Sequence, residues 1–185
     1  MKFKKDYMPS LAGSLLIAHP TLLDPNFRQA VILISAHSTE LGGMGVMVNA
    51  PLNKTMHQFD PKYAASPLAN VPMYLGGPTG QQGIMLVAWE WLEHNSVFKL
   101  HFGISQDQAS SLLENDNGLQ IKAFLGHTAW PKGQLEEELH RHAWFLSSVK
   151  NMLISQTETD LWKNILSKIK PELLFLIDPE DPSLN

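Results

Sequence analysis

Apolar and polar positions along the chain fall into short blocks, and the rhythm of each block predicts an element. Ala30-Val31-Ile32-Leu33-Ile34 is a continuous apolar run, the pattern of a strand covered on both faces. Asp24-Pro25 ahead of it predicts one helical turn, with aspartate as N-cap and proline at the first helical position. Leu41-Gly42-Gly43 breaks the run, Val46-Met47-Val48 resumes as a second strand, and Pro51 stops it. Ser14 to Ala18 predicts an earlier buried strand, ended by His19-Pro20. The block from Asp24 to Pro51 thus reads as a strand pair at the middle of the core.

Downstream the rhythms alternate. Thr55 to Asp60 predicts a short helix, and Pro61 and Pro67 turn the next stretch into a loop. Val71 to Leu75 is a strand cut off by Gly76-Gly77-Pro78, and Gly83 to Ala88 is another. Val97 to Phe102 alternates with period two, the signature of a strand with one covered face. Ser105-Gln106-Asp107-Gln108 matches a capping box, and Ala109, Leu112 and Leu113 supply the stripe of the helix that follows. Asn115 to Gly118 ends it, and Leu119 to Leu125 alternates again as a strand. Gly133 to Leu146 is expected to be the clearest amphipathic helix, with Leu135, Leu139, Ala143 and Leu146 on one face. Thr159 to Ile169 predicts a last helix, Leu173 to Ile177 a last strand, and Asp178 to Asn185 a mobile acidic tail.

Several strands precede the first long helix, which argues against a pure βαβ array. The expected fold class is α/β of the mixed kind: a single compact domain over residues 1–185, with a mixed β-sheet flanked by helices. A chain of 185 residues with 44% hydrophobic content is long enough for one sizeable core. Its net charge of −4 supplies no general attraction to nucleic acid or to an anionic membrane, so neither is an expected partner. With no cysteine, disulfides, thiolate ligands and cysteine nucleophiles are excluded. Lys2, Lys4 and Lys5 before Leu11 to Ala18 imitate a signal peptide, but Asp6 and Pro9 interrupt it and the apolar run is short. A cytoplasmic location is therefore expected.

Few residues carry the spacing that chemistry demands. Gly43-Met44-Gly45 leads into a strand and lacks a third glycine, and Gly77, Gly80 and Gly83 are not followed by the lysine of a phosphate loop. Of eight histidines only His140 and His142 are close, and residues two apart on a helix point to different sides. His19 and His37 flank neighbouring predicted strands and are candidates to meet in space. No cofactor and no structural metal are expected. Glu136 to Glu138 fan around a helix axis and read as a solvated face near its positive end. The remaining candidates are polar residues in apolar surroundings: Asn49, Arg28, Trp130 and Gln134. Asn49-Ala50-Pro51 and Gly76-Gly77-Pro78 each close a strand, and Trp130 to Gln134 opens a helix. These three turns are expected to converge on one cleft, with Arg28 or His37 at its rim, that binds a small anionic or amide-bearing molecule. The bland alternative is that Asn49 and Gln134 close loops by bonding backbone.

Three blocks together resemble the bacterial AlgH/YqgE family. They run from Gly13 to Pro51, from Val71 to Val87 and from Leu125 to Trp144. The ordered set Asp24-Pro25-x-Phe27-Arg28, Gly45-x-x-x-Asn49-x-Pro51, Gly76-Gly77-Pro78 and Gly133-Gln134-Leu135-Glu136 carries the likeness. The resemblance implies a small cytosolic mixed-sheet protein and brings no catalytic residues with it. Relatives tend to carry a basic residue where Ala50 stands, and often Leu-His where Val87-Ala88 stand. The expected function is a non-enzymatic small-ligand-binding or regulatory protein. An enzyme acting on a small metabolite is the alternative, and a transcriptional regulator the weaker one. Besides a small molecule, a protein is the other class of partner left open.

Overall fold

The structure is a computed structural model that describes residues 9–92, 97–115, 119–150 and 158–177. Its first three strands are those of the apolar runs: β1 (Ser14–Ala18), β2 (Val31–Ser38) and β3 (Gly42–Met47). They pair antiparallel in chain order, Leu15 opposite Leu33 and Leu33 opposite Val46. The helical turn before β2 forms as expected. The Asp24 carboxylate accepts from the Asn26 amide at 2.8 Å, and the Asp24 carbonyl from the Arg28 amide at 2.8 Å.

β4 (Pro51–Thr55) follows, then α1 (Met56–Phe59), β5 (Pro72–Leu75), β6 (Thr79–Leu92) and β7 (Val97–Ile104). After these come α2 (Gln106–Asn115), β8 (Gln120–Trp130), α3 (Gln134–His140), β9 (Trp144–Ser148) and α4 (Glu158–Ile169). The sheet is mixed, and β8 is its hinge. The first half of β8 pairs parallel with β5 and antiparallel with β6, and its last three residues pair antiparallel with β3. β6 in turn carries β7. The path β4-β5-β8-β3-β2-β1-β9 completes it.

Alternation along the strands divides the core in two. Tyr74, Val87, Trp89 and Phe124 join β1, β2, β3 and the apolar stripe of α4 in one buried cluster. Their neighbours Met73, Leu86, Ala88 and Ala123 join Met56, Tyr63, Leu68 and Ala109 in the other. Both faces of this part of the sheet are covered, so the period-two pattern reads apolar on both sides. The loop after α1 plugs the second cluster, with Leu68 fully buried.

Three expectations fail. The helix expected over Gly133 to Leu146 stops at His140, and the chain re-enters the sheet as β9, antiparallel to β1 with Trp144 opposite Ala18. His142 takes a left-handed φ of 58°, which ends the helix, and Leu146 points outward. Sheet pairing outweighed the i, i+4 leucine spacing there. Leu173 to Ile177 is no strand; Pro171–Leu176 forms a 3-10 turn after α4. Pro51 begins a strand instead of ending one, at an edge where its missing N–H costs nothing. The expected tail over Asp178 to Asn185 lies outside the described residues.

Candidate functional site

Along β7 the register against β6 runs Val97–Leu92 to Phe102–Val87 and then slips, so that Ile104 faces Leu86. Gly103 is the extra residue, at a left-handed φ of 61°. The slip has a steric consequence. His101 faces Ala88 and Ile104 faces Leu86, and Leu86 and Ala88 share one face. Two β7 side chains three apart, which strict alternation would send to opposite faces, therefore lie on the same one.

Ser105 then caps α2. Its hydroxyl accepts from the Gln108 amide at 3.1 Å, and the Gln108 side chain accepts from the Ser105 amide at 2.9 Å. This fixes the rotation of α2 over β7. Ala109 faces the core, and Asp107, Gln108, Ser111, Leu112 and Asn115 face His101 and Ile104 across a groove of about 490 Å³. Ile104 and Leu112 form its apolar wall. The Asn115 amide nitrogen donates to the Ser111 carbonyl at 2.7 Å, which leaves the Asn115 side-chain oxygen as an acceptor. His101 Nε2 is buried without a hydrogen-bond partner. A desolvated, unpaired imidazole nitrogen costs on the order of 1–3 kcal/mol.

The residues singled out from the sequence lie elsewhere, in two places. Asn49, just past β3, donates its amide nitrogen to the Gln29 carbonyl at 2.9 Å. Its oxygen accepts from the Val31 amide at 2.8 Å. It closes the entry to β2, as the structural alternative expected. The Gly76 amide is spent on the Leu125 carbonyl and its carbonyl on the Met47 amide. Pro51 pairs with Tyr74, which brings the Asn49–Pro51 and Gly76–Pro78 turns side by side. Arg28, exposed in the turn before β2, belongs to this end of the sheet.

His37, Trp130 and Gln134 gather at the other end of β3, where Gly43 faces both His37 and Trp130. Four steps of strand, roughly 13 Å, separate Gly43 from Met47, and Asn49 lies in the bend beyond it. Asn49 and Gln134 are therefore held apart, while Gly77 packs against His127 and Thr128, two residues short of Trp130, between the two ends. Gln134 donates to the Glu138 carboxylate at 2.7 Å, not to backbone. Glu138 also accepts the indole N–H of Trp130 at 2.9 Å and of Trp144 at 2.8 Å, clamping α3 to β8 and β9.

His37 has a fully buried side chain. The Leu11 amide donates to its Nδ1 at 3.2 Å, so the proton sits on Nε2, which donates to Glu136 at 3.1 Å. The antiparallel β1–β2 register puts His19 and His37 at opposite ends of the pair, more than about 20 Å apart, so they do not meet. His19 has its own setting. Burial and, secondarily, the nearby His142 hold its imidazole below the usual histidine range. Among the described residues no group of three His, Asp or Glu side chains could hold a metal ion.

The groove escapes a reading of the sequence because its two local signals lie in different elements. Gly103 after an alternating strand is a bulge signal, and the capping box two residues later sets the helix that covers it.

Comparison with known proteins places the chain. The AlgH-like family matches over residues 15–174. A UPF0301 protein of Burkholderia ambifaria is 31% identical over 161 residues, covering 82% of this chain and 83% of the relative. A UPF0301 protein of Burkholderia vietnamiensis shows the same identity and coverage. The crystal structure of a protein from Corynebacterium diphtheriae superposes with a TM-score of 0.66 at 22% identity, over 96% of this chain and 95% of that one. The solution structure of the AlgH protein from Pseudomonas aeruginosa gives 0.65 at 23%, over 95% and 96%. These two share the fold. With the family matching most of its length and relatives above 30% identity, the chain belongs to the AlgH-like family.

Proposed function

We propose that this chain is a small-ligand-binding protein and that the groove between β7 and α2 is its site. The carrying observation is the groove itself. Its volume of about 490 Å³ falls in the range of small-molecule sites, and it pairs an apolar wall with a few polar groups. No placed nucleophile–base pair accompanies it among the described residues, so a binding role is favoured over the enzyme alternative.

A cytoplasmic location and a regulatory role belong to this proposal, a cysteine-free chain being suited to a reducing compartment. No helix among the described residues is long and apolar enough to cross a membrane. The net charge of −4 supports the exclusion of nucleic acid as a partner.

The test is a protein-observed NMR screen against a library of small metabolites. Saturable shifts confined to His101, Gly103 and residues 107–115, lost in Ser111→Trp, are expected. Saturable shifts that survive Ser111→Trp, or none from any compound, would overturn the proposal.

A further inference from the structure

If the groove between β7 and α2 is the ligand site proposed for it, the chemistry of its lining selects a class of ligand, and that selectivity rests on the binding role. Among the described residues Asp107 is the one carboxylate that lines it, and no lysine or arginine does. Ser111 and Asn115 add a hydroxyl and a carbonyl oxygen as acceptors. The Gln108 side-chain oxygen is already spent on the Ser105 amide. Asp107 sits in the first turn of α2, where its charge offsets the positive end of the helix that would otherwise favour an anion. The groove is thus apolar along Ile104 and Leu112 and negative at one end.

From Asp107 to Asn115 the α2 face spans about 12 Å, room for a body of one ring and a short tether. We propose that the groove selects a small organic cation: an amine carried on an apolar body. The ammonium sits on the Asp107 carboxylate, and the body lies along Ile104 and Leu112. The His101 ring, placed on this face by the Gly103 bulge, lines the groove beside it. This cation differs from the small anionic or amide-bearing molecule expected from the sequence, since the groove's described lining offers an anion no cationic side chain of lysine or arginine.

Three probes of one shape test it. 2-Phenylethylamine, 2-phenylethanol and phenylacetate differ in charge and hardly in size. Each is titrated at neutral pH into the full chain, following the His101 ring and the amides of residues 107–115 by NMR. The amine is expected to bind about three- to five-fold tighter than the alcohol, the size of a contact to an exposed carboxylate, and phenylacetate not to bind. Asp107→Asn should bring the amine down to the level of the alcohol, and Asp107→Glu should keep the preference. Each variant is checked for native dichroism, and the charge-preserving one keeps the result readable if Asp107→Asn is destabilised.

Equal binding of amine and alcohol, or binding of phenylacetate at these residues, would refute the selectivity while leaving the groove a ligand site. If none of the three probes moves these resonances, the cation proposal is refuted outright. The metabolite screen then decides separately whether the groove binds anything.

Discussion

Glu138 shows how one carboxylate can organise several apolar elements. It accepts two indole N–H groups and the Gln134 amide, and both indoles are buried. Trp130 and Trp144 also meet edge-on at 6.3 Å, with Phe27 edge-on to Trp144 at 5.8 Å. Glu138→Ala strands two buried donors and is expected to cost about 2–4 kcal/mol, read as a lower urea midpoint. Gln134→Ala removes an exposed partner and should stay within about 1 kcal/mol. A larger loss for Gln134→Ala than for Glu138→Ala would invert this assignment.

His19 makes a pH prediction at the same scale. The amide and hydroxyl of Thr21 both face its Nδ1, at 3.2 and 2.8 Å, which requires the neutral ring. Its folded pKa lies below the ordinary 6.5, so the folded chain binds fewer protons there than the unfolded one. The contribution is fully present above about pH 6.5 and is lost as pH falls through the lowered value. The melting temperature should therefore drop between pH 7 and pH 5, and His19→Gln should shallow that drop. An unchanged slope in the variant would assign the acid sensitivity elsewhere.

At the scale of elements, residues 133–148 are the instructive case. Leucine spacing called for one long helix, yet only seven residues, Gln134–His140, are helical. Leu135 is fully buried under this short helix, whereas Leu146 on the β9 edge is 46% exposed. The two leucines should respond differently. Leu135→Ala is expected to cost about 2–5 kcal/mol by opening the core. Leu146→Thr, a strand-forming change on the outer face of β9, should be near neutral, within about 0.5 kcal/mol. Denaturant melts of the two variants check both, and a large loss for Leu146→Thr would restore the long helix.

For the whole molecule, β8 ties the two apolar clusters together. Its first half lies between them, and its end, Trp130, belongs to the cluster of β1 to β3. A shared strand makes independent melting of the two halves costly, so one cooperative transition is expected. Trp89, Trp130, Trp144 and Trp162, four of the five tryptophans, lie in one cluster, so fluorescence reports mainly that half while far-UV dichroism reports both. The two urea curves should coincide. An early dichroism phase without fluorescence change would mean that the cluster around Met56 and Leu68 unfolds alone.

Local pattern was enough for what local physics decides. The apolar runs of β1, β2 and β3, the Asp24 turn, the capping box of α2 and the stripe of α4 were all legible, because neighbouring residues set periodicity and capping. So was the family, carried by turn residues in fixed order. Tertiary structure alone decided what meets what. The i, i+4 leucines of residues 135–146 lost to pairing between β9 and β1, a partner more than a hundred residues away in sequence. Asn49 and Gln134 looked alike in the sequence, but the length of β3 holds them at opposite ends. His101 and Ile104 share a face only because the β6–β7 register places a bulge at Gly103. The candidate site, unlike the strands that frame it, exists only once two elements pack, since a groove is a relation between surfaces and not a property of either one.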